Sequence, residues 1–249
     1  MNPGHVLVTG ASGGIGGAVG DVLHAQGWRV TGLDVRPAGP DRAAGRRQAL
    51  QVDVADRRAL EEALAVARAA GPVTAVVHAA AVQPIGPVGS VGLDDWERCL
   101  RVNVLALEQI VATCLDDLRR ARGAVVAISS VHARATTRDM AAYATSKAAL
   151  EGWTRAAALD LAPDVRVNAV APGAVRTSML VDGFVRRCDD GTVDEAMSLL
   201  AARTPLGVIA EPVQLARLVA ALLDDDVTGF VTGTVFAADG GALLKLGTE

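Results

Sequence analysis

Seven short apolar runs along the chain have the pattern of buried β-strands. Most of them are continuous rather than alternating, which is typical of parallel strands that are covered on both faces. Turn residues and longer amphipathic stretches separate the runs, so strands and helices alternate along the sequence. The predicted strands cover residues 5–9, 29–33, 49–52, 73–77, 124–129, 165–170 and 234–237.

Two stretches between these runs have the spacing of amphipathic helices. One stripe consists of Ile15, Val19, Val22 and Leu23. A longer stripe predicts a single long helix and consists of Leu93, Trp96, Leu100, Val104, Leu107 and Val111. Alternating strands and helices imply βαβ units. We therefore expect an α/β fold in one domain over residues 1–249, with a doubly wound parallel sheet of about seven strands and helices on both faces.

The least regular stretch covers residues 178–206 and follows a late strand. In a doubly wound sheet, ligands bind at the carboxyl ends of the strands. The stretch therefore predicts a flap over a ligand site, with an ordinary surface helical hairpin as the alternative.

Composition and charge limit the possible partners. The chain has 249 residues, of which 51% are hydrophobic, and this is enough for a well-developed core. A net charge of -4 gives no electrostatic reason to expect nucleic acid or an anionic membrane as a partner. No apolar run reaches the ~18 residues of a membrane span. The first strand begins too early to leave room for a cleavable targeting peptide.

The cysteines and histidines point away from disulfide and metal chemistry. Cys99, Cys114 and Cys188 are odd in number and have no pairing pattern, which favours a reducing compartment and predicts a cytoplasmic protein. Each cysteine is predicted to be a packing residue. The four histidines are scattered without metal-binding spacing, so no catalytic metal is expected.

A glycine-rich turn joins the first predicted strand to the first predicted helix. Glycines there let backbone N–H groups approach a pyrophosphate, and the helix N-terminus adds a positive dipole. The spacing is Gly-x-x-x-Gly-x-Gly rather than Gly-x-Gly-x-x-Gly. Its place in a βαβ unit nevertheless predicts a dinucleotide site. The turn reads Thr9-Gly10-Ala11-Ser12-Gly13-Gly14-Ile15-Gly16.

An aspartate follows the second strand and bears on the choice of cofactor. Asp34 lies 18 residues after Gly16. A carboxylate there accepts hydrogen bonds from the adenosine ribose hydroxyls and repels a 2′-phosphate, which favours NAD over NADP. Arg36 is the feature that leaves NADP open. Asp53 follows the third strand and is either an adenine neighbour or a turn-forming residue.

A tyrosine and a lysine lie one helical turn apart in Tyr143-Ala144-Thr145-Ser146-Lys147. The unperturbed pKa of a phenol is ~10, which is too high for a base at neutral pH. A neighbouring ammonium and the charge of an oxidised nicotinamide lower that pKa. Tyr143 is then predicted to be the acid/base for an alcohol and its ketone. Ser130 ends a strand nearby, whereas alternation should turn Ser129 the other way.

Together these motifs resemble the single-domain short-chain dehydrogenases/reductases. The resemblance covers the whole chain and implies a Rossmann-type sheet, a nicotinamide cofactor and a homotetramer that acts on a small-molecule substrate. Further motifs that carry it are Asp53-Val54, Asn103, Ser129-Ser130, Asn168-Ala169-Val170-Ala171-Pro172-Gly173 and Asp239-Gly240-Gly241.

The resemblance also implies roles for individual residues. Ser130 positions the substrate oxygen, Tyr143 is the acid/base, and Lys147 holds the nicotinamide ribose and lowers the pKa of Tyr143. Asn103 supports a water-linked proton relay. The implied cofactor residues are Gly10, Ser12, Gly13, Gly14, Ile15, Gly16, Asp34, Val35, Asp53, Val54, Ala79, Ala80, Tyr143, Lys147, Pro172, Gly173, Val175 and Thr177.

Two segments depart from the family pattern. Where the family usually has Asn-Asn-Ala-Gly after the fourth strand, this chain has His78-Ala79-Ala80-Ala81, so the local hydrogen bonds must differ. The segment from Leu206 to Pro212 lacks the basic residue often found in its counterpart, and we have no functional interpretation of that difference.

The substrate is the least determined part of the prediction. Gln83, His132, Met140 and Met179 are its candidate contacts. Gln83 and His132 resemble residues that hold the carboxylate in 3-hydroxybutyrate dehydrogenases of the family, but Met140 stands where that subgroup has a lysine. A hydrophobic secondary alcohol is at least as compatible. Rival functions are an NADPH-dependent 3-oxoacyl-type reductase, a sugar-nucleotide epimerase and a non-enzymatic dinucleotide sensor.

Overall fold

The computed structural model describes residues 3–37, 47–185 and 192–244, which fold around a seven-stranded parallel sheet. The strands are β1 (His5–Thr9), β2 (Arg29–Asp34), β3 (Arg47–Gln51), β4 (Ala75–His78), β5 (Ala124–Ile128), β6 (Arg166–Pro172) and β7 (Val235–Ala238). Their order is β3-β2-β1-β4-β5-β6-β7, with every pairing parallel. The predicted doubly wound sheet is confirmed.

Helices cover both faces of this sheet. In the described residues they are α1 (Gly14–Ala25), α2 (Arg57–Ala69), α3 (Leu93–Leu100), α4 (Ala106–Ala121), α5 (Ala141–Leu161), α6 (Ser178–Val185), α7 (Val193–Arg203), α8 (Pro212–Leu223) and α9 (Asp225–Thr228). A π-helical turn, Arg101–Leu105, joins α3 to α4, and short 3-10 turns cover Val131–Ala133 and Ala242–Leu244.

The central strands are apolar on both faces because each face meets a layer of helices. Leu7, Val76 and Val125 pack in one core cluster with residues of α2, α4 and α5. Val8 and Val77 belong to a second cluster, which includes residues of α1 and α8. Side chains alternate between the two faces of a strand. The continuous apolar runs in the sequence therefore reflect burial on both faces.

The third strand differs from its prediction. It covers Arg47–Gln51 instead of 49–52, and its residues are half-buried or exposed rather than fully buried. The strand lies at the edge of the sheet and pairs with β2, with Arg47 opposite Val30. An edge strand needs no continuous apolar run, so the sequence pattern marked only its carboxyl half.

The long helix predicted from Leu93 to Val111 is also corrected. The π-helical turn divides it, and the side chain of Leu93 is 80% exposed. A π-turn inserts an extra residue and changes the register of the buried face. Cys99 and Asn103 are buried before and within the turn, whereas Leu107 and Val111 are buried after it. Trp96, Leu100 and Val104 are half-buried, so the stripe is fully buried only within α4.

Successive strands are added to one side of β1 as far as β3 and to its other side from β4 onward, so the strand order reverses between the neighbours β1 and β4. This topological switch leaves a crevice at the carboxyl ends of the two strands. The glycine turn follows β1 at that edge, and the segment that starts at Ala79 follows β4. The fold therefore brings the predicted cofactor motifs to one place.

Candidate active site

A cavity of about 460 Å³ opens at the carboxyl edge of the sheet. Its walls include nearly all of the residues that the sequence predicts for cofactor, catalysis and substrate. These are Gly10, Gly13, Gly14, Ile15, Gly16, Asp34, Val35, Asp53, Val54, Ala79, Ala80, Gln83, Ser130, His132, Met140, Tyr143, Lys147, Pro172, Gly173, Val175, Thr177 and Met179. The structure thus brings distant parts of the sequence into one site.

The glycine turn at the start of α1 has no space for side chains. Gly10 has a φ of +67°, and a Cβ there would lie 2.8 Å from the carbonyl group of Ala79. A Cβ on Gly14 would lie 2.6 Å from Cγ2 of Thr177, and one on Gly16 would overlap the carbonyl oxygen of Gly10. Backbone N–H groups at the start of a helix lack intrahelical partners and suit an anion. The cradle fits the pyrophosphate of a dinucleotide.

We expect Gly10→Ala to weaken both the fold and cofactor binding. A left-handed φ costs an L-residue about 1–2 kcal/mol, and the close contact with Ala79 adds to it. Thermal unfolding and NADH fluorescence titration should show a lower Tm and weaker binding. Gly92→Ala is the matched control, because Gly92 has a φ of -61° and open space around its Cβ position. Equal Tm and equal NADH affinity for Gly10→Ala and wild type would contradict this account of the turn.

Asp34 ends β2 with a buried carboxylate that the backbone already holds in place. Its Oδ2 accepts a hydrogen bond from the Ser12 N–H at 2.9 Å, and its Oδ1 accepts one from the Arg36 N–H at 2.9 Å. Oδ1 also accepts a hydrogen bond from Arg36 Nε at 3.4 Å, so the lone pair that remains for a ribose hydroxyl is on Oδ2. Ser12 braces this carboxylate and is not among the described residues that line the cavity.

Arg36 lies beside the same carboxylate. Its Nε is 3.4 Å from Oδ1 of Asp34, and its side chain is 55% exposed. Its guanidinium also lies near Gly13, where an added Cβ would be 3.6 Å from it. An exposed cation next to the cradle suits an additional phosphate.

Asp53 forms a turn, which is one of the two roles that the sequence left open, and it also lines the cavity. Its Oδ1 accepts a hydrogen bond from the Ala55 N–H at 3.0 Å, which forms a turn. Its Oδ2 accepts a hydrogen bond from Arg98 Nη1 at 2.9 Å, and both residues line the cavity. Burial opposes ionisation, but these two donors outweigh it and lower the pKa of Asp53. The sequence analysis missed Arg98, which reaches this site from the exposed side of α3.

His78 replaces the usual family asparagine with a buried hydrogen-bond bridge. The Thr9 Oγ1 accepts hydrogen bonds from the N–H groups of Ala79 and Ala80, each at 3.1 Å. The Thr9 hydroxyl in turn donates its hydrogen to His78 Nδ1, with 2.9 Å between Oγ1 and Nδ1. The Nε2–H of His78 therefore donates to the carbonyl oxygen of Val102 at 3.0 Å. The imidazole thus joins the glycine turn to the π-helical turn.

We expect this bridge to contribute to stability and to its dependence on pH. Burial, with the nearby charge of Lys147, lowers the pKa of His78 to about 3. Because the folded state disfavours the proton, stability should fall as the pH drops below the ordinary value of 6.5. His78→Leu should cost about 2–4 kcal/mol, since it leaves two buried partners unsatisfied.

Urea unfolding of wild type, His78→Leu and His78→Asn at several pH values tests this bridge. An asparagine can still reach Thr9 but is too short for Val102. The free energy of unfolding should therefore fall less in His78→Asn than in His78→Leu. Both variants should lose the part of the acid sensitivity that the imidazole causes. Equal stabilities, or an unchanged acid slope in both variants, would count against the bridge.

Ser130 and Tyr143 meet at the inner end of the cavity. Ser130 follows β5, and its Oγ accepts a hydrogen bond from the His132 N–H at 3.2 Å. That contact leaves the hydroxyl hydrogen of Ser130 for Tyr143, and the interaction of the two hydroxyl groups lowers the pKa of Tyr143. The ring of His132 contacts the Tyr143 ring edge to face, with centroids 5.8 Å apart. The Ser129 hydroxyl points instead to Glu151 of α5, as alternation predicts.

In the chain without a bound cofactor, the pKa of Tyr143 is raised rather than lowered. Burial raises the pKa of Tyr143 to about 12, although the hydrogen bond with Ser130 lowers it. The lowered pKa expected from the sequence depends on Lys147 together with the charge of an oxidised nicotinamide, and the chain by itself supplies only the lysine. Desolvation is the larger effect because the tyrosine is only 6% exposed.

Lys147 reaches the same site from the next turn of α5. Its Nζ lies 5.5 Å from the centre of the Tyr143 ring and donates a hydrogen bond to the carbonyl oxygen of Ile128 at 2.7 Å. The side chain is only 2% exposed, and burial lowers the pKa of Lys147 to about 8. The group is therefore still mainly an ammonium ion at neutral pH.

Asn103 lies within the π-helical turn and is fully buried. Its Oδ1 accepts a hydrogen bond from the Val82 N–H at 2.9 Å, and its Nδ2 donates to Ser146 Oγ at 2.8 Å. Asn103 is not among the described residues that line the cavity. Its side chain fixes α5 and the segment after β4 relative to each other.

The outer part of the cavity has a mixed apolar and polar wall. Gln83, His132, Met140 and Met179 all line it, as predicted. The segment 178–206 contains α6 and α7, and α6 adds cavity residues that the sequence analysis did not name. α6 therefore forms part of the cavity wall, and movement of this segment as a flap stays a prediction. Cys188 and the Asp189-Asp190-Gly191 sequence lie outside the described residues.

The described residues also bear on the predictions about cysteines, metal ions and membrane spans. The described cysteines, Cys99 and Cys114, are buried thiols, and burial raises the pKa of Cys114 to about 11. Among residues 3–37, 47–185 and 192–244, no group of three or more His, Cys, Asp or Glu side chains is placed to hold a metal ion. No helix in the same ranges is long and apolar enough to cross a membrane.

Comparisons with known proteins give the same family as the geometry. Residues 10–242 match the profile of a family described as enoyl-(acyl carrier protein) reductase. The chain is 35% identical to L-xylulose reductase from Homo sapiens, with 95% of both chains covered. It is 32% identical to meso-2,3-butanediol dehydrogenase from Serratia marcescens, which covers 97% of this chain and 95% of that protein.

A solved structure of another protein has the same fold. Aldohexose dehydrogenase from Thermoplasma acidophilum superimposes with a TM-score of 0.92 and 27% identity, covering 99% of this chain and 96% of that one. The profile match and the two relatives extend over almost the whole chain, well beyond the glycine turn. The chain therefore belongs to the short-chain dehydrogenase/reductase family, whose members are oxidoreductases that use nicotinamide cofactors.

Proposed function

We propose that this protein is an NAD(H)-dependent oxidoreductase that interconverts a secondary alcohol and a ketone, with Tyr143 as the acid/base. The observation that carries the proposal is the convergence of Ser130, Tyr143 and Lys147 in one cavity with the glycine cradle. When bound, the nicotinamide supplies the acceptor or donor of the hydride.

The chain's own groups account for the proton transfer. In alcohol oxidation, Oη of Tyr143 accepts the proton of the substrate hydroxyl, and in ketone reduction it donates a proton to the carbonyl oxygen. The Ser130 hydroxyl donates a hydrogen bond to the same substrate oxygen and holds it beside Tyr143. The ammonium of Lys147 holds the nicotinamide ribose and favours the phenolate by its charge.

The preference for NAD rests on Asp34. Its carboxylate is buried at the end of β2 and keeps a lone pair on Oδ2 for a ribose hydroxyl. Oδ1 becomes available to the second hydroxyl when the exposed Arg36 side chain turns away from it. A 2′-phosphate at the same place would meet this charge in a poorly hydrated position, and such like-charge contacts cost several kcal/mol. Arg36 supports the alternative, an NADPH-dependent 3-oxoacyl-type reductase, because its guanidinium lies at the rim of the same site.

The substrate that best fits is a small secondary alcohol with an apolar body and a second polar group. Met140, Met179 and Phe184 supply apolar walls, whereas Gln83 and His132 supply polar contacts. Butanediol and xylulose, in the names of two relatives, both have a hydroxyl beside the reacting position. A small hydroxy acid resembling 3-hydroxybutyrate fits less well, since Met140 offers no charge for its carboxylate.

An NAD+ reduction assay over a panel of substrates tests the proposal. The panel should contain 2,3-butanediol, cyclic secondary alcohols and 3-hydroxybutyrate, with a 3-oxoacyl thioester and NADPH for the alternative. We expect turnover of an alcohol with NAD+ that disappears in Tyr143→Phe. Turnover of only the thioester with NADPH would establish the alternative instead.

Assembly and location are part of the same proposal. Leu105, Leu159 and Phe230 are exposed apolar side chains, of a kind that subunit contacts cover. They support the homotetramer that the family resemblance implies. The buried thiols of Cys99 and Cys114 are compatible with a cytoplasmic protein.

A further inference from the structure

Glu151 is a buried carboxylate for which the proposed proton transfer has no use. It lies on α5, one helical turn after Lys147 and two turns after Tyr143, and is only 5% exposed. Burial of a charged carboxylate is costly unless other groups compensate it. The groups that offset this cost therefore show what the carboxylate holds in place.

Both oxygens of Glu151 contact the segment that carries Ser130. Its Oε1 accepts a hydrogen bond from the Ser129 hydroxyl at 3.2 Å. Its Oε2 accepts one from Arg134 Nε at 3.3 Å, as part of an ion pair. Ser129 precedes Ser130 directly, and Arg134 follows the 3-10 turn that contains His132. One carboxylate thus ties both ends of this short segment to α5.

We propose that Glu151 is a positioning residue that holds the 129–134 segment against α5 and so sets the contact between the Ser130 hydroxyl and Tyr143. The inference rests on the proposed function, because it assigns Ser130 and Tyr143 the roles given above. Glu151 touches neither of these two side chains in the described contacts. It holds the side chains of Ser129 and Arg134, and its effect reaches Ser130 through the backbone between them.

The physical reason lies in how the two reacting groups are held. Ser130 is fixed by β5 on one side, whereas Tyr143 is fixed by α5. The Glu151 contacts join the same two elements within a few residues of both groups. A misplacement of about 1 Å can cost 100-fold in rate. Loosening this link should therefore reduce kcat while the cofactor cradle, on the other side of the site, remains intact.

Glu151→Leu is the informative substitution, and the protein should still fold with it. Arg134 is 43% exposed and can turn to solvent. The Ser129 hydroxyl is 3.4 Å from the carbonyl oxygen of Lys147 and can use it as an acceptor. We expect kcat to fall about tenfold, which corresponds to ~1.4 kcal/mol, with the KM for NAD+ unchanged. Glu151→Gln retains polar atoms for both partners and should restore most of the activity.

A double-mutant cycle with Ser130→Ala separates positioning from a merely structural role. If Glu151 acts through Ser130, then Glu151→Leu has no further effect on kcat in the Ser130→Ala background. Asp117→Leu is the matched control. Asp117 is also a buried carboxylate paired with an arginine, Arg68, at 2.8 Å. It contacts Val73, before β4 and far from the cavity, so its loss should lower Tm without a change in kcat.

A second readout requires neither substrate nor cofactor. Tyr143 is the only tyrosine, so carbon-13 NMR of protein labelled at the tyrosine Cζ gives a single resonance. Ser130→Ala should shift this resonance, and Glu151→Leu should shift it in the same direction. In the Ser130→Ala background, Glu151→Leu should cause no further shift, and Asp117→Leu should cause none in either background.

The outcomes distinguish this inference from the proposed function. Wild-type protein without activity on any panel substrate would count against the function, while the resonance still tests the position of Ser130. Active wild type together with an unchanged kcat and resonance in Glu151→Leu would overturn the inference alone. Additive losses of kcat in the two backgrounds would also overturn it, because they would show an effect that bypasses Ser130.

Discussion

Replacing Tyr143 with phenylalanine is expected to reduce kcat by about 100- to 10,000-fold, the range typical for loss of a general acid/base. The substitution removes one oxygen and keeps the ring, so the edge contact with His132 and the position of Lys147 should persist. No second tyrosine exists in the chain to replace it. The loss should appear in kcat, whereas NADH binding in a fluorescence titration should remain close to that of wild type.

Two companion variants make the Tyr143 result specific. Ser130→Ala should reduce kcat by a smaller factor, since Ser130 orients the substrate oxygen but does not exchange its proton. Lys147→Met should reduce kcat and also weaken NADH binding, because it removes the ammonium from the cofactor side. If Tyr143→Phe kept more than about one tenth of the wild-type kcat, general acid/base catalysis by this phenol would be ruled out.

Replacing Asp34 with asparagine is expected to change the cofactor preference toward NADP. The amide keeps an acceptor oxygen for only one of the two backbone N–H groups, those of Ser12 and Arg36, and removes the negative charge next to a 2′-phosphate. Like-charge contacts of this kind cost several kcal/mol. The ratio of kcat/KM for NAD+ to that for NADP+ should therefore fall by about 100-fold. Initial rates with both cofactors on the same alcohol measure this ratio.

Arg36 decides how much of the NADP activity is gained. In Asp34→Asn, its guanidinium is released from the carboxylate and can pair with the 2′-phosphate. Asp34→Asn combined with Arg36→Ala should therefore bind NADPH more weakly than Asp34→Asn alone. Arg36→Ala by itself should leave the NAD+ activity nearly unchanged. A wild-type protein that already prefers NADPH would contradict the assignment of Asp34.

The sequence was most informative where a local pattern has one physical cause. Continuous apolar runs predicted strands covered on both faces, and the sheet contains all seven within two residues of the predicted ends. The glycine turn predicted a cradle because close backbone approach excludes side chains at Gly10, Gly14 and Gly16. The Tyr143 and Lys147 spacing placed both residues on one helix face, and both line the cavity.

The remaining features depend on contacts between residues far apart in the chain. The π-helical turn at Asn103 arises where its side chain binds Val82 and Ser146, and no periodicity in the sequence encodes that. The bridge from Thr9 through His78 to Val102 is similar, since three separate elements supply its atoms. The sequence showed that His78 stands where the family has an asparagine, but it did not show which hydrogen bonds His78 makes.

The pKa of Tyr143 is the most instructive difference. Spacing along α5 showed that Lys147 is near, and a charge argument predicted a lowered pKa. The extent of burial, which depends on the whole fold, was not visible in the sequence, and burial raises the pKa of Tyr143 to about 12. We therefore expect the positive charge of an oxidised nicotinamide, together with Lys147, to lower the pKa of Tyr143 toward neutral pH.

The most direct test of this account is a pH titration of Tyr143 with and without saturating NAD+, followed by the carbon-13 resonance of its Cζ. The chain has one tyrosine, so the signal needs no assignment by mutation. The account predicts a pKa that falls by about 1–3 units from its high value when NAD+ is bound. An unchanged titration, with NAD+ binding confirmed in the same sample, would contradict the claim that Tyr143 is the acid/base of a nicotinamide-dependent reaction.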